Sequence, residues 1–576
     1  MTILTALKAA QTLHDVAHLF NITPAQFAYT LYKLTPEQKY ETFEIPKKGG
    51  GVRTIHAPRG KIKELQRRLA DILYDCLDEL QNAQPRKPLS HGFRKSLSII
   101  TNAQRHHNRR YVLNLDLEDF FPTFNFGRVR GFFIKDKSFE LSEKVATILA
   151  QIACRDGALP QGSPCSPIIS EMIGHILDVR LAGFAKKHKV TYSRYADDLT
   201  FSTNQKAFPA ALATGGTAPD DPWLLGASLV KEIERAKFTI NHAKTRMQVQ
   251  ASRQMVTGLT VNAKVNVPKN YWRGIRSMCH ALYRTGCYHR PFTTQAEKEK
   301  APELITSLLP LAGMLSHVQH VKRKSRVSPG KGLQFGHKDQ DDFWFYYYFV
   351  ALQRPLIVTE GKTDSVYLRN AITHLPTFQP ALGQKTADGF EYRVGFFNYE
   401  NQAHNLVRLT GGIGQLAAFM AGYKSRLKRY AHKPFAAPVI ILIDNDSALS
   451  ADLTNSLAKH FGVTVNLTTK ADFYHLTDNL YLVKTPEVGP KGVSCIEDLF
   501  DAATLGLPLG GKVFHPEGKG FDTAKHIGKA PFAKKVIGPA AGSISWAGFS
   551  PLLGRIEAVL KHYTPPTPAA PTYTTP

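Results

Sequence analysis

Two adjacent aspartates, Asp197 and Asp198, constrain this chain more than any other feature, because two short segments predicted to be strands flank them at 191–195 and 199–202. Neighbouring carboxylates at one turn repel each other, so the arrangement is unfavourable unless cations are bound. A third carboxylate, Asp116, ends a buried strand predicted at 111–115. Three carboxylates at strand ends can converge on two divalent cations, which activate a 3′-hydroxyl and stabilise a pyrophosphate leaving group.

The composition narrows the class of protein. The chain has 576 residues, 43% of them hydrophobic, which excludes a mainly disordered chain. It contains no apolar run long enough to span a membrane and no secretory signal, so we expect a cytoplasmic protein. Its 6 cysteines form no CxxC pair, so we expect no disulfide scaffold. The formal net charge is +26, and residues 46–110 hold 15 Lys and Arg against 5 Asp and Glu. This excess predicts a nucleic-acid partner, and the alternative is an enzyme that is merely basic.

A second set of acidic residues follows strands in the C-terminal half. The apolar runs 356–358 and 439–443 are typical of buried parallel strands, and 364–372 predicts a crossover helix between them. Glu360 follows the first strand, and Asp444 and Asp446 follow the second. Residues two apart on an extended segment point the same way, so both aspartates can face one cation. The set predicts a Mg²⁺ site, and the alternative is a pair of helix caps.

Residues 1 to about 320 resemble the reverse transcriptases. The resemblance implies a right-hand polymerase with fingers, palm and thumb, two Mg²⁺ ions and deoxynucleoside triphosphates as substrates. Its three catalytic, metal-binding aspartates match Asp116, Asp197 and Asp198. It also implies residues that contact the nucleotide or the template. Phe121 matches an aromatic residue that rejects a 2′-hydroxyl, and Gln161 and Gly162 belong to a Gln-Gly-Ser-Pro loop. Lys244 and Arg94 match two cations near the phosphates.

Two further motifs resemble those of the retron reverse transcriptases. One is Asn-Ala-x-x-His, from Asn102 to His106, and the other is Val256-Thr257-Gly258. This resemblance implies that the motif residues recognise a partner non-coding RNA. Part of that RNA would be copied into multicopy single-stranded DNA (msDNA), primed from a 2′-hydroxyl of a guanosine.

Residues 353–505 resemble the topoisomerase–primase (Toprim) fold, with Glu360, Asp444 and Asp446 at its acidic positions. Glu497 and Lys529 resemble accessory residues of Toprim nucleases. The resemblance implies a metal-dependent nuclease that uses one or two Mg²⁺ or Mn²⁺ ions, cleaves RNA or DNA and serves as an antiphage effector. Two alternatives stay open: the domain processes the polymerase's own RNA–DNA product, or it is an inactive nucleic-acid-binding module.

The expected fold is therefore a multidomain α/β chain, in which a right-hand polymerase precedes a Toprim domain with a mostly parallel sheet. The expected boundaries are fingers and palm at 1–262, thumb and linker at 263–350, Toprim domain at 351–505, C-terminal extension at 506–563 and a disordered tail at 564–576. The expected partners are the retron RNA, its msDNA and the nuclease substrate, with a homo-oligomer around bound RNA and DNA left open and no membrane.

Overall fold

The computed structural model describes most of the chain in two compact units. The described residues are 2–47, 51–85, 87–215, 223–290, 303–325, 337–399, 409, 411–446, 449–488, 492–516 and 520–567. Unit 1 comprises 1–273, 292–301 and 316–329, and unit 2 comprises 274–291, 302–315 and 330–576. The segment 263–350, expected to be thumb and linker, is divided between the units. The part of the expected tail at 568–576 lies outside the described residues.

Unit 1 begins with helices and a strand pair. Four helices, α1 to α4, cover Ile3–Ala9, Leu13–Leu19, Pro24–Tyr32 and Pro36–Lys39. Strand β1 (Tyr40–Pro46) pairs antiparallel with β2 (Val52–Pro58), and the long helix α5 (Gly60–Ala83) follows. The leucines and isoleucines of α5 recur at helical spacing and face the unit's core.

A four-stranded antiparallel sheet forms the centre of unit 1. Its strands are β3 (Tyr111–Asp116), β4 (Thr191–Tyr195), β5 (Asp198–Thr203) and β8 (Arg246–Val249), in the order β4-β5-β3-β8. The predicted strands that flank the paired aspartates are thus confirmed. The register places Asp116 opposite Asp198, so all three predicted carboxylates reach the same end of the sheet.

The remaining elements of unit 1 surround this sheet. The helices α6 to α10 cover Ile99–Gln104, Phe126–Lys135, Glu143–Ala153, Ser166–Lys187 and Ala227–Arg235. The short pairs are β6 (Ala213–Thr214) with β7 (Leu224–Leu225), and β9 (Met255–Val256) with β10 (Leu259–Thr260). Two helices run from one unit's residues into the other's, α11 (Lys269–Thr285) and α12 (Leu309–Lys324).

Unit 2 contains a five-stranded sheet in the order β16-β13-β17-β19-β18. The strands are β13 (Leu356–Thr359), β16 (Gly395–Phe396), β17 (Val439–Ile443), β18 (Tyr474–Thr477) and β19 (Leu480–Lys484). Three neighbouring pairs are parallel, and β18 runs antiparallel at the edge. The outer pairs of unit 2 are β11 (Tyr288–His289) with β12 (Leu304–Ile305), β14 (Gly383–Thr386) with β15 (Gly389–Tyr392), and β20 (Val513–Phe514) with β21 (His526–Ile527).

The helices of unit 2 pack against its sheet. Helix α14 (Asp364–His374) confirms the crossover helix predicted between the two apolar strands. The helix before it is α13 (His337–Phe345), and the α-helices after it are Gln379–Leu382, Ile413–Leu427, Ala451–Phe461, Ala502–Leu505, Lys529–Pro531, Gly538–Ala540 and Ser550–His562. Residues of the expected C-terminal extension, such as Phe532 and Leu552, share one core with Ile357 and Ile440, so the extension is part of this unit's core. Within the described residues, no helix has both the length and the apolarity to cross a bilayer.

Candidate active sites

The three carboxylates of unit 1 meet at one end of the four-stranded sheet. Asp116 ends β3 and pairs across the ladder with Asp198, which begins β5. The backbone N–H of Leu117 donates to the carbonyl of Asp197 at 3.0 Å, and Asn241 donates to the carbonyl of Asp116 at 2.8 Å. The antiparallel ladder therefore brings together residues that are about eighty positions apart in the sequence.

The negative charges of the three carboxylates repel one another. Burial, together with Asp197 and Asp116, raises the pKa of Asp198 to about 6. Burial and the neighbouring Asp116 also raise the pKa of Asp197. Both shifts have the cause that the sequence predicts, namely like charges held close together without full hydration. A bound divalent cation would relieve this repulsion.

Lys244 contacts the first aspartate directly. Its Nζ lies 2.9 and 3.0 Å from the two carboxylate oxygens of Asp116, and its side chain is 58% exposed. Its place at the end of a single helical turn, His242–Lys244, brings it to the carboxyl end of β3. The expected contact between this lysine and nucleotide phosphates stays a prediction. In this structure the ammonium balances part of the negative charge.

The donor set of the site fits magnesium. All three side chains offer hard carboxylate oxygens, which Mg²⁺ prefers, and the raised pKa values of Asp197 and Asp198 show the repulsion that a cation would offset. No three or more His, Cys, Asp or Glu side chains among the described residues converge closely enough to enclose an ion. The aspartates are therefore positioned as candidate ligands and are not closed around a metal position.

The other predicted polymerase residues also belong to unit 1. The ring of Phe121 packs on Phe93 and Phe120, with centroids 6.1 and 5.5 Å away. Arg94 Nη1 lies 3.9 Å from Glu171, so a carboxylate orients its guanidinium. The carbonyl of Gln161 accepts from the N–H of His56 at 3.0 Å.

Gly162 has a φ of 112°, and a Cβ there would lie 3.1 Å from the carbonyl oxygen of His56. The Gln-Gly-Ser-Pro loop therefore rests closely on β2, and this position requires glycine.

The Asn-Ala-x-x-His motif is placed differently from the expectation of direct RNA recognition. The side chains of Asn102 and His106 are fully buried. His106 Nδ1 lies 2.7 Å from Ser202 Oγ on β5, and its Nε2 lies 2.7 Å from Ser193 Oγ on β4. Ser193 Oγ donates to Asn102 Oδ1 at 2.5 Å. Direct contact of these two side chains with RNA is inconsistent with this burial, because both side chains hold the motif against the hairpin.

The Val-Thr-Gly motif lies against the same region. Val256 is fully buried, and Thr257 Oγ1 donates to the carbonyl of Ile99 at 3.0 Å. Thr257 and Gly258 both have positive φ, 47° and 81°, so they form the tight turn between β9 and β10. The two retron-like motifs thus contact each other through α6. Gly258 is exposed, which leaves the turn as the accessible part of the motif.

Sequence reasoning missed a buried ion cluster beside the paired aspartates. Arg194 is fully buried and lies between Glu171 and Asp178 of α9. Two acids seven residues apart lie on the same face of a helix, and a lone arginine in a strand just before the paired aspartates is a charge that needs partners. These two signals together could have identified the cluster.

The acidic residues of unit 2 also converge at strand ends. Glu360 follows β13, Asp444 follows β17, and these strands are parallel neighbours. The N–H of Asp444 donates to Glu360 Oε2 at 3.2 Å, and Asp444 Oδ1 accepts from the N–H of Ile496 at 3.0 Å. Asp446 lies two residues beyond Asp444 and, after burial, is the charge that raises the pKa of Glu360. Burial, then Asp364 and Glu360, raise the pKa of Asp444 to about 8.

The accessory residues predicted for this site lie beside it. Glu497 is 1% exposed, and Lys529 Nζ lies 2.9 Å from its Oε2. Within the described part of the chain, Glu497 Oε1 has no hydrogen-bond partner. Burial would lower the pKa of Lys529, but the carboxylates of Glu497 and Asp444 together outweigh burial and raise that pKa above its usual range.

Asp364, at the start of α14, is a buried carboxylate that the sequence analysis assigned only to a helix. It accepts from the N–H of Gly361 at 2.7 Å, and its pKa is raised to about 6 by burial and then by Glu497. The site therefore combines five carboxylates with the ammonium of Lys529. This excess of oxygen ligands, together with the orphaned Oε1 of Glu497, fits a hard divalent cation, although the carboxylates are not closed around an ion here either.

Comparison with known proteins assigns the N-terminal part of the chain. Residues 45–261 match the family described as reverse transcriptase (RNA-dependent DNA polymerase). The chain is 31% identical over 280 residues to the retron Ec86 reverse transcriptase of Escherichia coli, covering 48% of this chain and 80% of that protein. It is 37% identical over 264 residues to the retron Mx65 reverse transcriptase of Myxococcus xanthus, covering 43% of this chain and 56% of that protein.

The four-stranded sheet and its three carboxylates lie within the segment that matches the reverse transcriptases. With the similarity to the Ec86 protein over most of that protein's length, the chain belongs to the retron reverse transcriptase family. The chain spans only about half of the Mx65 relative. A solved telomerase of Candida albicans aligns with 12% identity over 67% of this chain and 64% of that chain, at a TM-score of 0.29, which is too low to compare folds.

Proposed function

We propose that unit 1 is an RNA-directed DNA polymerase that copies a retron RNA into msDNA. The observation that carries this proposal is the ladder pairing of Asp116 with Asp198, which gathers three carboxylates at one end of the sheet within the family-matched segment. Their like-charge repulsion supports a site made for cations.

The residues of the site divide the work of nucleotide addition. Asp116, Asp197 and Asp198 would hold two Mg²⁺ ions, which, when bound, lower the pKa of the primer hydroxyl and neutralise the leaving pyrophosphate. Lys244 acts as a counter-ion of Asp116 and, being exposed and flexible, exchanges that contact for nucleotide phosphate. Phe121, whose ring packs at a tilt against Phe93, supports the sugar of the incoming deoxynucleotide.

The proposed partners are the retron RNA, its msDNA and deoxynucleoside triphosphates. The basic segment at 46–110 supports RNA binding, and its charge would keep the RNA and the DNA product bound to the protein together. A homo-oligomer that binds this RNA and DNA is a further candidate partner arrangement. The exposed turn at Gly258 and the template loop at Gln161 and Gly162 are the candidate contacts. Asn102 and His106 would serve indirectly, by holding α6 against the hairpin.

Primer extension on a defined RNA template tests the polymerase proposal. The wild-type protein with Mg²⁺ should extend a DNA primer, and Asp197→Ala should abolish extension while RNA affinity stays within about twofold. Asp71→Ala, on the exposed face of α5, is the matched control and should leave both unchanged. Extension by Asp197→Ala, or loss of RNA binding in it, would count against a purely catalytic role.

We further propose that the sheet of unit 2 is a Toprim-like domain with metal-dependent nuclease activity. The observation that favours it is the contact of Glu360 with the backbone of Asp444 at the ends of neighbouring parallel strands. Glu360, Asp444 and Asp446 would hold one or two Mg²⁺ or Mn²⁺ ions. Lys529, paired with Glu497, would stabilise negative charge on the scissile phosphate.

The proposed role of this nuclease is an antiphage effector restrained by the reverse transcriptase and its DNA. Processing of the polymerase's own RNA–DNA product and inactive nucleic-acid binding are the competing roles. A cleavage assay, in which the protein is incubated with Mg²⁺ or Mn²⁺ and with tRNA, mRNA or DNA, distinguishes a nuclease from an inactive binding module. A nuclease is supported if Asp444→Asn loses cleavage and the polymerase-deficient Asp197→Ala keeps it. Binding without cleavage indicates an inactive module.

Two readouts assign the biological role of that nuclease. Longer, unprocessed msDNA in cells that carry Asp444→Asn would favour product processing. Loss of growth arrest during phage infection in Glu360→Ala, with msDNA of normal length, would favour the effector. Arrest and cleavage that persist in both variants would contradict the assignment of these acids.

A further inference from the structure

Arg194 is a large, fully buried charged side chain, and it lies three residues before Asp197 in the sequence. Its guanidinium contacts Asp178 through two bonds, Nε to Oδ1 at 2.8 Å and Nη2 to Oδ2 at 2.7 Å. Nη2 also donates to Glu171 Oε2 at 2.9 Å. Bidentate, charge-assisted contacts of this kind fix the plane of a guanidinium.

Further polar groups complete the cluster. The hydroxyl of Tyr192 donates to Asp178 Oδ1 at 2.8 Å, and Ser90 Oγ donates to Glu171 Oε2 at 2.7 Å. Arg94, on the other side of Glu171, lies 3.9 Å away and adds a second positive charge. The buried charges are therefore paired and hydrogen-bonded, as a buried cluster must be to persist.

The cluster is connected to the catalytic turn. Arg194 Nη1 donates to the carbonyl of Ala196 at 3.2 Å, and Ala196 adopts a left-handed φ of 56° directly before Asp197. A residue other than glycine is strained in this region unless its surroundings hold it there. The guanidinium in turn lies on Gly174 of α9, where a Cβ would be 2.9 Å from Nη2. The helix therefore supports the arginine, and the arginine supports the turn.

A second segment contacts the same turn from the chain before α6. The N–H of Arg194 donates to the carbonyl of Leu89 at 3.0 Å, and the N–H of His91 donates to the carbonyl of Arg194 at 2.8 Å. These bonds bring Gly92 against Ala196. A Cβ on Gly92 would lie 2.6 Å from the backbone nitrogen of Ala196, a distance that real Cβ atoms essentially never show.

We propose that Arg194 and Gly92 are positioning residues for the catalytic turn, which hold Ala196 from two sides and thereby set the place of Asp197 and Asp198. This inference rests on the proposed polymerase function. Neither residue touches a reacting atom. Each acts through the backbone of Ala196, which connects the buried cluster to the metal-binding carboxylates.

Gly92→Ala tests the inference without disturbing the buried charges. Moving the Ala196 nitrogen from 2.6 Å to an ordinary contact of 3.4 Å requires a displacement of about 0.8 Å. Misplacement by 1 Å at a reacting centre costs about 100-fold in rate, so we expect kcat to fall by about 10- to 100-fold. The magnesium concentration for half-maximal rate should rise, because the carboxylates move, while the KM for deoxynucleotide stays within about twofold.

The matched control is Gly183→Ala, since Gly183 lies in α9 with nothing within 4 Å of the added Cβ. We expect Gly183→Ala to extend primers like the wild type. Gly92→Ala should keep the melting temperature and the RNA affinity of this control. The inference would be overturned if Gly92→Ala had the kcat of the wild type. It would also be overturned if kcat fell only in proportion to the amount of folded protein.

Arg194→Lys supplies a second measurement, because lysine keeps the charge but cannot form the fork to Asp178 or reach Ala196 in the same way. Lowered kcat with unchanged nucleotide KM supports the inference, and if this variant does not fold, Gly92→Ala alone decides. If the wild type extends primers but Gly92→Ala and its control have the same kcat, only the positioning role is refuted. No extension by the wild type refutes the polymerase function and this inference with it.

Discussion

Replacing Asp444 by asparagine should stabilise metal-free unit 2, although it should remove a proposed metal ligand. Burial and the carboxylates of Asp364 and Glu360 raise the pKa of Asp444 to about 8 from an ordinary value of 3.8. Asparagine removes the charge but keeps an oxygen that can accept the hydrogen bond from Ile496. The variant therefore relieves repulsion with little change in shape.

The size of the effect depends on pH in a defined direction. A carboxyl group with a raised folded-state pKa favours folding at low pH, and this contribution is lost as the pH rises through the folded-state pKa. At 1.36 kcal/mol per pH unit above 3.8, the advantage of Asp444→Asn should be about 2 kcal/mol at pH 5 and about 4 kcal/mol at pH 7. It should level off above pH 8.

Amide hydrogen exchange of strand β17 in EDTA measures this difference, because protection reports the local free energy of opening. Asp472→Asn, an exposed residue of the same unit, is the control and should leave protection unchanged. Added Mg²⁺ should increase protection in the wild type and much less in Asp444→Asn. Equal protection of both proteins at pH 7, or an advantage that shrinks between pH 5 and 7, would refute the charge argument.

Three further predictions concern unit 1. RNA affinity should fall steeply, by about 10³-fold or more between 50 and 200 mM salt in a filter-binding assay, because basic residues release counterions from phosphates. DNA synthesis at limiting Mg²⁺ should fall as the pH drops through about 6, where Asp198 takes up a proton, and a flat pH profile would contradict this. His106→Ala should lower the free energy of unfolding by about 2–4 kcal/mol, because Ser193 and Ser202 lose their buried partner, while folded protein keeps its RNA affinity.

The elements that carry the acidic residues could be predicted from sequence because their signals are local. Mainly apolar runs identified β3, β13 and β17, and a carboxylate follows each run within two residues. The convergence of Asp116 with Asp198 depends on strand order and register. Spacing along the chain does not encode this order, and the resemblance to known polymerases supplied it.

Contacts between distant elements could not be read from the sequence. Helix α9, for example, leaves Ile176 49% exposed and buries Glu171 and Asp178 against Arg194, which belongs to another element. Asp364 was predicted only as the start of a helix, since its proximity to Glu497 arises from a chain separation of more than a hundred residues.

The nucleic acid that copurifies with the protein tests the central claim most directly. The protein would be purified from cells that carry its gene with the adjoining DNA, and the bound nucleic acid would be treated with RNase or DNase. Wild-type protein should carry a single-stranded DNA joined to RNA, and Asp197→Ala should carry the RNA without DNA. Protein free of nucleic acid, or the same DNA in both proteins, would contradict the account.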